Sequence, residues 1–461
     1  MTIVSGKERP VQKHVLVIPF PAQGHMIPLL DLTRKLASNP SLAITVVTTP
    51  ANRPLLSALL SSHPSIHTLL LPFPHHPSVP PGIENVKDMP HLIRAITLSL
   101  SHLHRPLLRW LRSHPSPPTL IISDMFLGWT QNLGLPRLVF SPSAAFTFST
   151  MCFLWIHLPK PTNHPSDVVS YHTLPNSPEF PWCQVSPMFR SYTAGDEDSE
   201  NLKEWFLGNL ASWGLLVNSF ADLERPYFDF LTKELGHDRV WAVGPLLPED
   251  ESSVKDRGGT SSVSVNDVVS WLDKMEERKV VYICFGSQSI LSGDQKEAIK
   301  SGLVKSGVHF VWSIKEEKEE AENEDEFNGK GLVIRGWAPQ LVILRHRAVG
   351  AFLTHCGWNS VLEAVVAGVP MLAWPMTADQ FINATLLVDE LKIARRVCEG
   401  AQTVPDSDSL ARVLADSVSG NGAEMSRALE LKDAALHAVR EGGSSHRDLQ
   451  CFVERILSPL D

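Results

Sequence analysis

The sequence predicts an α/β chain of two Rossmann-like, doubly wound parallel-sheet halves facing a cleft. Three observations carry this. Continuous apolar runs rich in β-branched residues recur at 14–20, 43–48, 119–123, 137–140, 214–219, 280–285, 308–314 and 349–353, the pattern of strands buried on both faces. The first of these form a βαβ opening, which predicts a doubly wound sheet. Between 248 and 265 the chain turns rich in Ser, Gly and charge, the composition of a flexible linker, so the halves divide at about residue 250.

With 461 residues, 43% of them hydrophobic, the chain is long enough for a large core split over two or three domains. A net charge of −9 and a pI near 6.1 argue against nucleic acid as a partner, and Lys and Arg form no stripe. Six cysteines without a CxxC pair indicate neither a zinc ribbon nor a disulfide scaffold, and a reducing compartment is expected. The N-terminus has no apolar core before a cleavage site, and no run reaches the roughly 18 apolar residues of a membrane span. A cytoplasmic chain without stable membrane insertion is therefore expected, in which the sequon Asn383-Ala384-Thr385 is read as chance.

In chain order, residues 1–13 are read as a disordered leader. The first strand, 14–20, enters the turn Pro21-Ala22-Gln23-Gly24-His25, and a helix follows over 26–36. One glycine in that turn is not the dinucleotide fingerprint, which speaks against NAD. His25 stands beyond a strand's C-terminal end, where open parallel sheets bind ligands, and Asp124 closes the run 119–123 at the same edge. A helix N-terminus disfavours imidazolium, while a neighbouring carboxylate favours it and fixes the tautomer. Together they make a His–Asp dyad able to take a proton from a hydroxyl near neutral pH, a phenol of pKa about 10 included. Read singly, the two are a loop histidine and a helix cap.

The stretch 55–111 reads as helical, broken by Phe73-Pro74-His75-His76-Pro77. The prolines deny His67, His75 and His76 a regular two-ligand face, so no metal site is expected. Strand 137–140 ends in Ser141-Pro142-Ser143. Residues 160–200, rich in Pro, Ser and His, read as a loop or broken helices bordering an acceptor pocket. In the second half Gly286-Ser287-Gln288 follows strand 280–285 and turns Ser287 toward a phosphate. The run 315–326, KEEKEEAENEDE, reads as a solvated loop, and helical pattern returns over 406–457.

The densest chemistry lies at 337–380. Trp337 follows the apolar run 331–334 and opens a helix over 340–346. Strand 349–353 stops at Thr354-His355-Cys356-Gly357-Trp358-Asn359-Ser360, where another helix starts. Asn359 or Ser360 is the expected N-cap, with Glu363 in capping-box spacing from Ser360. A helix N-terminus entered through a glycine turn offers free N–H groups and a positive dipole end to an anion. His355, Asn359 and Ser360 add side-chain donors, making a phosphate cradle without lysine and without metal ligands. Trp337 is placed to stack a base, Gln340 and Glu363 to bond ribose, and Asp379 with Gln380 to bond a sugar ring. Singly these are caps and core residues; together they describe a nucleotide-sugar site.

This stretch, with the opening PFPAQGHMIPLLDL and the segment VGPLLP, closely resembles plant family 1 UDP-dependent glycosyltransferases of secondary metabolism, in the flavonol and small-phenol glucosyltransferase subgroup. The resemblance runs from about residue 14 onward and is weakest between 155 and 210. It implies the GT-B arrangement: an acceptor-binding domain over 1–250, a UDP-sugar-binding domain over 251–440, and a last helix, 441–461, packed back on the first. It implies an inverting, metal-independent displacement in which His25, oriented by Asp124, is the base. It further implies that Ser287, His355, Gly357, Asn359 and Ser360 hold the diphosphate, that Trp337 stacks uracil and the Ala338 backbone pairs its edge, and that Gln340 and Glu363 hold ribose. Trp358, Asp379 and Gln380 would hold the hexose, with Gly24 and Ser143 beside the donor.

By the same resemblance Gln380 points to UDP-glucose as co-substrate, with no separate cofactor; rhamnose and xylose stay open. A flavonoid acceptor is expected, with simple phenols, benzoates and terpenoids open, and the chain is expected to be a monomer whose partners are these small molecules. Rival classes are a non-catalytic UDP-sugar-binding protein, which would lack the dyad, an epimerase-like GT-B enzyme needing no acceptor, and a dehydrogenase, whose glycine-rich turn neither half has.

Overall fold

The computed structural model describes residues 12–160, 164, 166–248, 261–315, 327, 329–420 and 422–459. The first half contributes β1 (Lys13–Ile18), β2 (Leu42–Thr48), β3 (His67–Leu70), β4 (Leu120–Asp124) and β5 (Arg137–Ser141). It continues with β6 (Val168–Ser170), β7 (Glu179–Pro181), β8 (Gly214–Val217) and β9 (Val240–Ala242). Seven of these form one parallel sheet in the order β3-β2-β1-β4-β5-β8-β9, while β6 and β7 pair antiparallel by themselves. The second half contributes β10 (Val280–Cys284), β11 (His309–Ile314), β12 (Gly331–Arg335), β13 (Val349–Thr354), β14 (Met371–Ala373) and β15 (Ala394–Arg396). They lie parallel in the order β12-β11-β10-β13-β14-β15.

Central strands are covered by helices on both faces, which is why Val15, Leu16, Val17 and Ile18 are buried in succession instead of alternating. In each sheet the winding starts in the middle and reverses, between β1 and β4 in the first and between β10 and β13 in the second. At such a reversal neighbouring loops leave toward opposite faces and open a crevice beyond the strands' C-terminal ends. This is the two-sheet architecture expected.

One apolar cluster takes side chains from both halves, Phe146, Trp155 and Phe220 packing in the same body as Tyr282, Phe352 and Val361. The last helix, Ser444–Leu457, lies against the first sheet. Phe452 and Ile456 are fully buried in a cluster with Val15, Ile44, Leu120 and Trp241, a burial that contributes about 1.5–3 kcal/mol for each side chain. The Asp448 carboxylate accepts from Ala242 N at 2.8 Å in the same seam.

Several expectations need correction. The first strand starts at Lys13, so only residues 1–11 of the expected leader lie outside the described residues. The stretch 55–111 is not helical throughout, because it contains β3. That strand has four residues, mostly exposed at the sheet edge, and so carries no burial period to read. Within 160–200 the chain forms the β6–β7 hairpin. Most of the expected linker, with the boundary near 250, lies outside the described residues, as does 316–326 of the charge run.

Candidate active site

Both reversal points open into one cleft, with a cavity volume of about 590 Å³, lined by residues of both halves. On the first side stand His25 after β1 and Asp124 at the end of β4. The register Ile18↔Ser123 brings these two strand ends side by side. His25 is not a turn residue as expected. It lies in the first turn of the Gln23–Ala37 helix, because Met26 N already bonds Ala22 O at 2.8 Å, ahead of the apolar periodicity.

His25 Nδ1 lies 2.8 Å from Asp124 Oδ2, and Asp124 Oδ1 accepts from Phe126 N at 2.9 Å. Asp124 is fully buried, whereas the His25 side chain is 17% exposed. The carboxylate makes Nδ1 the protonated nitrogen and leaves Nε2 as the basic one. Burial pulls the imidazole down, but the charge and hydrogen bond of Asp124, with Asp379 further away, outweigh it and raise the group above its ordinary value.

Across the cleft, β13 ends at Thr354 and Cys356 takes a left-handed φ of +64°. The helix Trp358–Ala367 therefore opens early, with Gly357 as its N-cap. This overturns the expected cap at Asn359 or Ser360, and Glu363 closes no capping box, since all three already lie inside the helix. No side chain caps this end, so its first N–H groups are left to the cleft that Gly357, Trp358, Asn359 and Ser360 line.

His355 is held between two glycines. A Cβ at Gly286 (φ +73°) or at Gly357 would come within 2.5 Å of His355 Nε2, so only glycine admits the ring there. Its Nδ1 has no hydrogen-bond partner among the described residues, and burial pulls the imidazole down to about 4, which keeps it neutral at physiological pH.

The remaining expected residues also meet in the cleft. Gln340 Nε2 donates to Glu363 Oε2 at 2.7 Å and to Ser360 Oγ at 3.0 Å, with Tyr282 donating to Gln340 Oε1 at 3.2 Å. Trp337 is half-buried beside them, and the Ala338 carbonyl accepts from Gln340 N at 2.8 Å. Asp379 Oδ2 accepts from Ser143 Oγ at 2.5 Å and from Asn383 Nδ2 at 3.1 Å. Gln380 Oε1 accepts from Met376 N at 2.9 Å and Thr377 N at 3.0 Å. Asn383, the sequon residue, is fully buried. Asn359 Nδ2 donates across the cleft to Gly24 O at 3.1 Å.

Trp358, expected at the hexose, lines the cleft. Its indole N–H donates to Asn218 O at 2.7 Å, in the first half, and the side chain is buried.

Sequence reasoning missed two features. Lys315 lines the cleft and donates from Nζ to Ser287 O at 2.7 Å, so the anion cradle is not free of lysine. It opens a charge run whose composition is that of a solvated loop, although it follows β11 directly, at the C-terminal strand edge where Ser287 also stands. The cleft wall on the first half comes from Met125, Phe126 and the Ala145–His157 helix with Thr147, Thr150, Met151 and Leu154; of 160–200, Ser186 is the described residue that reaches the cleft.

A His–Asp pair on one half facing an uncapped helix N-terminus on the other fits an enzyme that transfers a group from a nucleotide-bound donor. Residues 12–248 match the family model described as glycosyltransferase, N-terminal domain, and residues 258–407 match that described as UDP-glucoronosyl and UDP-glucosyl transferase. The chain is 53% identical to flavonol 3-O-glucosyltransferase UGT89B1 of Arabidopsis thaliana, covering 99% of each chain. It is 40% identical to flavonol 7-O-rhamnosyltransferase of the same plant, covering 95% of this chain and 97% of the relative. Among solved structures, Arabidopsis thaliana UGT89C1 complexed with UDP-L-rhamnose superposes with a TM-score of 0.81 at 39% identity, covering 97% of this chain and 100% of that one. A second structure of that protein is complexed with quercetin. The chain belongs to the UDP-glycosyltransferase family. It is an enzyme that uses a UDP-sugar, and no helix among its described residues is long and apolar enough to cross a membrane.

Proposed function

We propose that the protein is an inverting, metal-independent glucosyltransferase that moves glucose from UDP-glucose to a hydroxyl of a flavonoid. The observation that carries this reading is the 2.8 Å His25–Asp124 contact, set opposite the open N-terminus of the Trp358–Ala367 helix in one cleft. Nε2 of His25 takes the acceptor's proton as its oxygen attacks the anomeric carbon. The bond from that carbon to UDP breaks, and the charge gathers on the diphosphate. The helix N-terminus, Ser287, His355, Asn359 and Ser360 hold it there, with Lys315 as the donor side's formal cation among the described lining residues.

Trp337 stacks uracil and the Ala338 backbone pairs its edge, while Gln340 and Glu363 hold ribose. Asp379 and Gln380 take the hexose hydroxyls, with Ser143 and Gly24 at the seam. Met125, Phe126, Met151 and Leu154 form an apolar wall suited to a flat aromatic acceptor. Glucose is favoured by Gln380 and by the glucosyltransferase relative at 53% identity; the relative and the structure that carry rhamnose keep UDP-rhamnose as the second reading. In this reading residues 1–250 bind acceptor, 251–440 bind donor, 441–461 pack back on the first part, and the enzyme works as a cytosolic monomer.

The test is a panel of flavonols, simple phenols, benzoates and terpenoids run with UDP-glucose, UDP-rhamnose and UDP-xylose, with and without EDTA, and read by mass spectrometry and product NMR. A flavonoid β-glucoside formed despite EDTA is expected. Tight UDP binding without product from any pair would turn the reading to a binding protein.

A further inference from the structure

A second charge lies directly behind the dyad. Arg137 opens β5 and is fully buried. A guanidinium taken out of water is costly unless it is hydrogen-bonded and compensated. Its Nε donates to Ser123 Oγ at 2.7 Å, and its Nη2 donates to Asn209 Oδ1 at 2.9 Å and to the Asp124 carbonyl at 3.3 Å. Nη1 has no partner among the described residues. Asn209, just beyond the Glu197–Gly208 helix, donates in turn from Nδ2 to Met125 O at 2.9 Å. Arg137 and Asn209 thus grip the Ser123 hydroxyl and the carbonyls of Asp124 and Met125, at and on both sides of the residue that aims at His25.

The acceptors of the guanidinium are neutral, and the anion acting on it is Asp124. Burial pulls the group down to about 9 and Asp124 resists, which leaves it charged at neutral pH. Asp124 is equally buried. When His25 is neutral, as a base must be, the carboxylate needs another cation. The charged groups facing His25 are Asp124 and, from the second half, Asp379, with Lys87 and Asp88 also lining the cleft. Of the groups packed on Arg137, Ser123 and Asn209 carry no charge.

We propose that Arg137 is a positioning residue for the transfer reaction: it is the standing counter-charge behind Asp124 while His25 is neutral, and its grip on 123–125 aims the carboxylate at Nδ1. The proton on His25 then comes and goes beside a pair whose net charge stays zero. The proposal rests on the reading of His25 as the base. A positive charge disfavours imidazolium, so the charge of Arg137 is expected to oppose the upward pull that Asp124 and Asp379 exert on His25.

The experiment uses the full chain with Arg137→Met and Arg137→Lys, measuring kcat/KM and kcat against pH on a flavonol, with calorimetric UDP affinity as the check on folding. Arg137→Met is expected to bind UDP as the parent does and to lose roughly tenfold or more in kcat, a part of the 10²–10⁴ that a general base contributes. Its acidic limb is expected at higher pH, while Arg137→Lys keeps the parent limb and recovers part of kcat. A Met variant whose pH profile overlays the parent, with only its melting temperature lowered, would overturn the proposal. Should that variant not fold, Asn209→Ala decides. It loosens the grip and leaves the charge, so kcat should fall with the limb in place and KM for UDP-glucose unchanged, and a parental kcat would overturn the proposal. His25→Ala separates the two readings: if it keeps its rate, the base assignment fails whatever Arg137 does.

Discussion

Ser143, on the loop after β5, donates its hydroxyl to Asp379 Oδ2 at 2.5 Å, so the carboxylate assigned to the hexose is held from the opposite half of the molecule. Asn383 supports the same oxygen and itself accepts from Thr147 Oγ1 at 3.1 Å, again across the seam. The subsite proposed for the hexose is complete only where the halves meet.

Ser143→Ala should therefore weaken UDP-glucose by about tenfold or less, the ~1 kcal/mol of one hydrogen bond, and Asp379→Ala by more. UDP alone, which has no hexose, should bind both variants as it binds the parent. Calorimetry with the two ligands checks this, and equal losses for UDP would remove Asp379 from the hexose.

The pH dependence of transfer follows from the raised His25. An imidazole must be neutral to accept a proton, so kcat/KM should fall as pH drops through a value above the ordinary 6.5. Asp124→Asn removes the anion that raises it, so the limb should move to lower pH while kcat drops. That is opposite in sign to the shift expected for Arg137→Met. A limb that stays put in Asp124→Asn would detach the carboxylate from the base. His25→Ala should abolish transfer and leave UDP affinity nearly intact.

Lys315→Ala should weaken UDP by roughly tenfold, as expected for loss of one half-buried cation near a diphosphate. Uridine affinity should not change, and the salt dependence of UDP binding should become shallower. Equal effects on UDP and uridine would mean that Lys315 only shapes the Ser287 loop.

Glu224 supports the acceptor wall from behind. Fully buried, it accepts from Ala145 N at 3.0 Å and Phe146 N at 2.9 Å, at the start of the Ala145–His157 helix, and from the Ser219 hydroxyl. Burial pushes its carboxyl up from 4.5 to about 7. Between those values the folded chain holds a proton that the unfolded chain has released. The stability from this group is thus complete below about 4.5 and fades as pH rises through about 7. Thermal melts from pH 6 to 8 should fall more steeply for the parent than for Glu224→Gln. Glu224→Ala, which strands two buried N–H groups, should cost roughly 2–5 kcal/mol; a loss within 0.5 kcal/mol would show that water replaces the carboxylate.

Much of this was legible because apolar runs buried on both faces announce parallel strands, and ligands gather where such strands end. His25, Asp124, Ser287 and His355 all stand at those ends, one residue type after another in predictable places. What escaped depends on turns and distant partners. The helix at Trp358 begins early because Cys356 adopts a left-handed turn, which residue type does not announce. The indole of Trp358 is committed to Asn218, 140 positions away. Lys315 was hidden by the acidic run it introduces, and Arg137 by opening an apolar strand, where only the fold reveals what its charge faces.

The return of the Ser444–Leu457 helix to the first sheet, with Lys13 Nζ donating to Ser458 O at 3.2 Å, brings the beginning and end of the described chain together. The polypeptide therefore passes from the first half to the second and back again, so two covalent connections join the halves. A protease that nicks either one leaves the halves tethered by the other, so they are not free to diffuse apart.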